Sequence, residues 1–326
     1  MLLRENPPLA GAVGLVLAVI LVNGWTDAPN AIATAVGSGA IGFRPAVALA
    51  AVSNLCGVVW ITMVSSAVAE TLYSIADFGT LAGLCAALIA IVAWSVLAWW
   101  FGIPTSESHA LVAGLSGAAL ALPGGWSNLR AGPWLRVGAG LAASVLLGLA
   151  LGKWCARLLG RCRPDNALFR KAQIAGAAGA AFLHGAQDGQ KFMGVLLLCT
   201  ALAQGRVDEE TFVIPLWLMV LCAACMALGT AVGGRRIVDT VGRRLVPLSL
   251  RDGLAADLGG GMALLLCTLA GLPVSTTHTK TAAILGVGRA GGQQADPRIA
   301  RAILLAWLLT FPGCGAMGFC IVRVLL

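Results

Sequence analysis

The stretch PTSESH at residues 104–109 is a short polar cluster inside a very apolar sequence, and PVSTTH at residues 273–278 repeats it. Only 11% of the 326 residues are charged, while 59% are hydrophobic. The three histidines nevertheless all fall in polar clusters embedded in apolar segments: His109, His184 and His278. Ionisable groups at membrane depth are energetically expensive, so such clusters indicate functional sites.

A second pair of polar clusters supports a division of the chain into two related halves. The stretch NGWTDAPN at residues 23–30 is matched by HGAQDGQK at residues 184–191, each with an aspartate in its fifth position. Polar clusters that recur in both halves of a chain are typical of transporters built from internal repeats. We therefore predict a first repeat over residues 1–160, a cytoplasmic linker over 161–171 and a second repeat over 172–326.

Apolar segments recur along the whole chain and predict an all-α polytopic membrane protein. A stretch of about 20 apolar residues is enough to cross roughly 30 Å of hydrocarbon. No connecting loop is long enough to form a separate soluble domain. The candidate segments are 8–42, 46–68, 80–101, 103–122, 135–158, 172–204, 212–232, 253–271, 273–289 and 299–324.

The net charge of +8 reflects membrane topology and not nucleic-acid binding, because the basic residues concentrate in short linkers. Two GxGxxG matches, at 37–42 and 286–291, do not follow a strand and so fail the context of a dinucleotide site. No Walker A motif is present, which argues against an ATP-driven pump. No Ser/His/Asp order or HExxH motif indicates an enzyme, and we predict no cofactor.

The distribution of basic residues predicts how the halves are oriented. The most basic linkers, 153–171 and 233–251, are placed in the cytoplasm, and 69–79 and 205–210 outside. The halves then run in opposite directions, as inverted repeats with paired helical hairpins around the two proline clusters. Segments 8–42 and 172–204 are too long for one plain crossing and carry polar clusters near their middle. Both are predicted to be discontinuous helices, with two short helices and an ordinary turn as the alternative.

The proline-containing clusters have the composition of helix N-termini. Proline opens a helix well, and serine or threonine hydroxyls then lie beside unpaired N–H groups at the positive end of the helix dipole. That arrangement suits an anion, phosphate above all. N-capping alone explains one such cluster, but two matched copies favour binding. The predicted phosphate ligands are Thr105, Ser106, Ser108, Ser275, Thr276 and Thr277, with His109 and His278 as accessory residues.

The two aspartates predict a coupling cation, because a buried carboxylate needs a partner and hard cations take several oxygens. Asp27 lies in an oxygen-rich cluster with Asn30, and we predict that Asp27, Asn30, Asp188 and Gln187 organise Na⁺ or H⁺. Lys191 stands three residues after Asp188. It can pair with that carboxylate on a helix or reach a bound anion, so it is also a candidate phosphate ligand.

Glu107 has no acidic counterpart, since Thr276 occupies the matching offset. A carboxyl group in an apolar surround is a candidate proton carrier. Facing the anion, it would accept a hydrogen bond from protonated phosphate and so disfavour sulfate, which cannot donate one. An ion pair or a water-exposed vestibule are the alternatives for this residue.

The four motifs resemble those of the inorganic phosphate transporter (PiT) family of secondary carriers. The resemblance rests on residues 24–30, 104–109, 185–191 and 273–278, with WWFG at 99–102 and GLAAD at 253–257 as matching context. It covers nearly the whole chain. It implies symport of phosphate with Na⁺ or H⁺ by a homodimer in a bacterial-type plasma membrane. The chain departs from the family pattern at Thr26 and Gln187, which replace asparagine, and at Lys191, which replaces a small or polar residue.

Other functions remain open at the level of sequence. A permease for sulfate or a related oxyanion could use the same scaffold. A passive anion channel would need a continuous polar pore, whereas the sequence shows local clusters. Concentrative uptake that depends on an ion gradient would separate a carrier from a channel.

Overall fold

The computed structural model describes residues 6–101, 105–162, 165–205 and 216–326. Regular structure in these ranges is helical, and the strand-like feature among them is an isolated bridge between Ala76 and Leu129. The helices of the first half are α1 Pro7–Thr26, α2 Asn30–Gly37, α3 Phe43–Val64, α4 Ala67–Tyr73, α5 Leu81–Trp100, α6 Glu107–Ala121 and α7 Ala131–Leu159.

The second half follows a similar order of elements. Its helices are α8 Asn166–Gln204, α9 Leu216–Gly233, α10 Arg235–Asp239, α11 Leu250–Leu269, α12 Thr276–Gly291 and α13 Pro297–Leu325, with a π-helical turn at Thr240–Arg244 after α10. Each half therefore has a helical hairpin, α5–α6 or α11–α12. Each then ends in a 29-residue helix, α7 or α13.

Six helical stretches of the described chain are long and apolar enough to cross a membrane, and a seventh counts if α9 and the segment after it, bent by 65°, form one span. This is fewer than the ten candidate segments. At about 1.5 Å per residue, the 16 residues of α12 reach roughly 24 Å, less than the roughly 30 Å hydrocarbon core. Segments 103–122 and 273–289 therefore supply helices that are shorter than the hydrocarbon core. The 39 residues of α8 are long enough to cross, but they carry several charges.

The predicted break in the first long segment is confirmed. Helix α1 ends at Thr26 and α2 begins at Asn30. The N–H groups of Asp27 and Ala28 both bond to the carbonyl of Asn23, while Pro29 has no N–H to continue the ladder. The interruption leaves Asp27 between two helix ends, buried inside the protein.

The predicted break in segment 172–204 is wrong, because α8 is continuous from Asn166 to Gln204. Glycine lowers helix stability by only about 1 kcal/mol and keeps its N–H, unlike proline. The glycines here serve packing instead. A Cβ at Gly185 would lie 2.3 Å from the carbonyl oxygen of Asn54, and one at Gly194 would lie 2.4 Å from that of Ala69.

Each long final helix packs against the hairpin helix of the other half. A Cβ on Gly152 of α7 would meet the carbonyl oxygen of Ala283 in α12 at 2.4 Å. In the same way, a Cβ on Gly117 of α6 would lie 2.0 Å from the carbonyl oxygen of Gly315 in α13. Small residues permit this close backbone approach between helices in lipid. The exchange of partners brings the two hairpins together in the interior.

Segments 69–79 and 233–251 lie towards opposite ends of α8. Ala69 packs against Gly194, whereas Gly253, just after the second segment, packs against Gln173. At about 1.5 Å per residue, these two levels of α8 are roughly 30 Å apart. The predicted outer segment 205–210 falls outside the described residues beyond Gly205. Which end faces the cytoplasm stays a prediction from the basic residues.

Labelling of single cysteines from each side of the membrane tests this topology. In a background without the native cysteines, we expect Asp77→Cys to react with an impermeant maleimide on intact cells. Arg243→Cys should react only after permeabilisation. The two variants are matched, because each removes one exposed ion pair, Asp77–Arg130 or Asp239–Arg243, of the kind that contributes about 0–1 kcal/mol. Reaction of both from the same side would contradict inversion.

Candidate functional site

The polar residues of all four motifs meet in the interior, between the α1–α2 break, the middle of α8 and the starts of α6 and α12. Pro104 lies outside the described residues. The predicted site residues are all 6% exposed or less. They are Asp27, Asn30, Thr105, Ser106, Glu107, Ser108, His109, Gln187, Asp188, Lys191, Ser275, Thr276, Thr277 and His278.

Two serines cap the helices α6 and α12, as their sequence positions predict. The Ser106 hydroxyl accepts a hydrogen bond from the backbone N–H of His109 at 3.3 Å, and Ser275 accepts from that of His278 at 3.1 Å. Serine is a favoured N-cap because it satisfies one of the orphan N–H groups. The positive ends of two helices therefore reach the buried site.

Asp27 is surrounded by neutral hydrogen-bond donors. Its Oδ1 accepts from the hydroxyl of Thr277 at 2.5 Å and from the amide of Asn30 at 3.0 Å, and its Oδ2 accepts from the hydroxyl of Thr276 at 3.0 Å. The Thr277 hydroxyl also lies 3.2 Å from the carbonyl oxygen of Thr105. The carboxylate of the first half thus binds the start of α12 in the second half.

Asp188 has a charged partner. Its Oδ1 lies 2.6 Å from Nζ of Lys191, and its Oδ2 accepts from the Asn23 amide at 3.0 Å. His184 Nε2 is 3.7 Å from the same Oδ2. Asn23, in the same motif as Asp27, therefore donates to the other carboxylate. The Lys191 ammonium also donates to the Ser108 hydroxyl at 2.6 Å and to the carbonyl oxygen of Val274 at 2.7 Å.

Glu107 binds two hydroxyls instead of a basic residue. Its Oε1 accepts from Thr26 and its Oε2 from Ser95, both at 2.9 Å. Ser95 was not identified from the sequence, because a lone serine in the apolar segment 80–101 gives no signal. The contact ties the end of α1 to the hairpin α5–α6.

The remaining predicted residues line the contact with α13. The hydroxyls of Thr105 and Thr310 are 3.0 Å apart. The His109 and His278 rings meet edge to face, with centroids 4.2 Å apart, and pack on Phe311 at 4.7 Å and Trp307 at 3.6 Å respectively. The structure therefore places the histidines among aromatic rings beside the two helix starts.

Gln187 connects α8 to the hairpin of its own half. Its amide nitrogen donates to the Thr268 hydroxyl at 3.0 Å and to the carbonyl oxygen of Leu272 at 3.1 Å. Gln190, on the next turn, donates to the carbonyl oxygen of Ser65 at 2.7 Å. The amide nitrogen of Gln187 thus holds the α11–α12 connection and is not part of the cluster around Asp27.

A second buried ion pair was missed by the sequence reasoning. Lys280 pairs with Oδ1 of Asp257, and the same oxygen accepts from the Thr34 hydroxyl at 2.5 Å. Both charged residues lie in predicted membrane segments, and this position in the sequence could have identified them as functional candidates. A small cavity of about 20 Å³, lined by Asn30, Thr276 and Lys280 among others, lies beside both this pair and the central site.

The arrangement has the groups needed to hold an anion beside a cation. Two helix starts, several hydroxyls and one ammonium offer donors, and Asp27 offers a carboxylate with neutral partners. Ionisable groups gathered in the interior of a multi-span helical protein, at one interrupted helix and two helix starts, are typical of a membrane transport protein. A family model described as the phosphate transporter family matches residues 23–166 and 163–318. The chain therefore belongs to the phosphate transporter family, a family of transporters and not of enzymes.

Curated relatives agree with this assignment. A probable low-affinity inorganic phosphate transporter of Bacillus subtilis is 33% identical over 93% of this chain and 92% of its own length. One of Rhizobium meliloti is 37% identical over 94% and 93%, and one of Mycobacterium tuberculosis H37Rv is 37% identical over 93% and 74%. A solved structure titled "The sodium-dependent phosphate transporter" shares the fold, with a TM-score of 0.82, 24% identity and coverage of 98% and 99%.

Proposed function

We propose that the chain is a secondary symporter that moves inorganic phosphate together with Na⁺ or H⁺. The observation that carries the proposal is the bonding of Asp27 to Thr276 and Thr277. A cation on the carboxylate and an anion on the hydroxyls and N–H groups of α12 would share these residues. Binding of the cation would therefore change the binding free energy of the anion, and the reverse, which is the requirement for coupled transport.

Phosphate binding would draw on the two helix starts and on Thr105, Ser108, Thr276 and Thr277. Because these residues are buried, access to either side of the membrane requires movement. Rocking of two inverted halves around a fixed midplane site is the mechanism expected of such a carrier. The exchanged packing of α7 on α12 and of α13 on α6 supports this arrangement. We further propose that the protein acts as a homodimer in a bacterial inner membrane.

Uptake of labelled phosphate into proteoliposomes tests this function. Na⁺ and pH gradients are imposed separately, each with and without an ionophore that collapses it. A symporter accumulates phosphate above the external concentration only while its coupling gradient persists. Simple equilibration under every gradient would indicate a channel, and strong inhibition by excess sulfate would indicate a general oxyanion permease.

We expect Glu107→Gln to lose most pH-gradient-driven accumulation while keeping phosphate exchange at equal phosphate concentrations. Glutamine can still bond to the hydroxyls of Thr26 and Ser95, since a hydroxyl both donates and accepts, but it cannot take up a proton. Glu70→Gln is the matched control, because Glu70 is exposed and bonds to Ser66. Unchanged pH-driven accumulation in Glu107→Gln would exclude Glu107 as the proton carrier.

A further inference from the structure

Three oxygens hold the ammonium group of Lys191 in the geometry of a cation site. They are Oδ1 of Asp188 and the hydroxyl oxygen of Ser108, each at 2.6 Å, and the carbonyl oxygen of Val274 at 2.7 Å. They come from α8, from α6 and from the residue that follows Pro273. Carboxylate, hydroxyl and carbonyl oxygens are also the ligands that hard metal cations prefer.

The matching motif positions form a second set of three oxygens. Oδ1 of Asp27 lies 2.5 Å from the Thr277 hydroxyl oxygen, which lies 3.2 Å from the carbonyl oxygen of Thr105. In the motifs Asp27 matches Asp188. Thr277 matches Ser108, four residues after the proline, and Thr105 matches Val274, one residue after it. In both sets the aspartate and the carbonyl come from one half and the hydroxyl from the other.

The residue that matches Lys191 is Asn30, three positions after Asp27. Its amide nitrogen lies 3.0 Å from Oδ1 of Asp27 and 3.2 Å from the hydroxyl oxygen of Thr277. The amide thus contacts a carboxylate and a hydroxyl, two of the three kinds of oxygen that the ammonium contacts in the other set. One set is neutralised by a cation that belongs to the chain, while the other bears a carboxylate with neutral partners.

We propose that Lys191 is a tethered cation that permanently fills one of two equivalent cation sites, so that only the Asp27 site takes an exchangeable coupling ion. The inference rests on the proposed symport. A lysine ammonium is a compact point charge that can replace a bound metal ion or proton. It moves with the protein in both directions, so it adds no net charge to a transport cycle. Its positive charge nevertheless stays beside Ser108, where an anion would bind.

Lys191→Asn tests the proposal, because it gives the second set the residue that the first set already has. The charge moved per phosphate is measured in proteoliposomes as the membrane voltage that stops net flux at fixed phosphate, Na⁺ and pH gradients. We expect Lys191→Asn to raise this charge by about one elementary charge relative to wild type. The measurement does not depend on whether the ion is Na⁺ or H⁺. Lys171→Asn, an exposed residue on the same helix, should leave it unchanged.

The reverse change keeps the proposal testable if Lys191→Asn does not fold. Asn30→Lys places an ammonium in the Asp27 set, and we expect it to lower the charge per phosphate by about one and to abolish driving by the coupling gradient. An unchanged charge in whichever of these variants transports phosphate overturns the proposal. Failure of the wild type to respond to any cation gradient would instead refute the symport. The two failures are therefore distinguishable.

Discussion

Asp27→Asn should abolish concentrative phosphate uptake while leaving a folded, membrane-inserted protein. The carboxylate is fully buried, and its hydrogen-bond donors are the neutral Asn30, Thr276 and Thr277. Asparagine can keep these bonds, because hydroxyls can accept as well as donate. It cannot neutralise a bound cation. Loss of a buried charge partner costs about 2–5 kcal/mol. Because about 1.4 kcal/mol corresponds to a tenfold change in affinity, the cation should bind roughly 30-fold more weakly or worse.

The measurement is gradient-driven uptake in proteoliposomes containing equal amounts of variant and wild type. Asp239→Asn is the control, because this exposed aspartate pairs with Arg243 at the surface and should retain wild-type accumulation. Accumulation by Asp27→Asn at the wild-type level would remove Asp27 from the coupling role. Residual equilibration without accumulation would fit a carrier that has lost its coupling and kept its anion site.

Asp188→Asn should destabilise the protein much more than the same substitution at Asp27. It leaves the Lys191 ammonium, 2% exposed, without its counter-charge. Breaking a buried ion pair by removing one partner costs about 3–5 kcal/mol. Asp27→Asn leaves no charged side chain without its partner, because the hydrogen-bond donors to Asp27 are neutral, and it should cost about 1 kcal/mol. The comparison is made by denaturant unfolding of the full chain in detergent.

A double variant separates the charge effect from packing. Asp188→Asn combined with Lys191→Met removes both charges, and we expect it to recover most of the stability lost by Asp188→Asn alone, since well-packed neutral replacements of buried pairs are often tolerated. Equal destabilisation by Asp27→Asn and Asp188→Asn would show that the pairing with Lys191 does not distinguish the two carboxylates.

Much of the site could be predicted from sequence because buried polar groups need partners and apolar segments offer few. The serine caps at Ser106 and Ser275, the break at Pro29 and the pairing of Lys191 with Asp188 all follow from local spacing. The continuity of α8 was not predictable in the same way. Glycine suits both a helix break and a close helix contact, and only the approach of Asn54 and Ala69 to α8 shows which use applies.

Pairing between distant segments was also beyond the sequence. The clusters place Asn23 and Thr26 beside Asp27, yet their side chains bond to Asp188 and Glu107 respectively. The buried pair of Asp257 and Lys280 joins α11 to α12, and nothing in the spacing of these residues indicates their contact. Each of these bonds depends on how the helices cross, which neighbouring residues do not encode.

The amino-acid sequence by itself determined that the chain lies in a membrane and that its chemistry is concentrated in four motifs. Apolar length and isolated polar groups have energetic consequences that do not depend on the neighbours. Only the tertiary structure decided which oxygens face which aspartate. The packing of α7 against α12 and of α13 against α6 accompanies the contacts of Thr277 with Asp27 and of Ser108 with Lys191. The two sets of oxygens form only when the halves are packed together. The structure therefore shows that Asn30 and Lys191, an amide and an ammonium, occupy matching positions in these two sets.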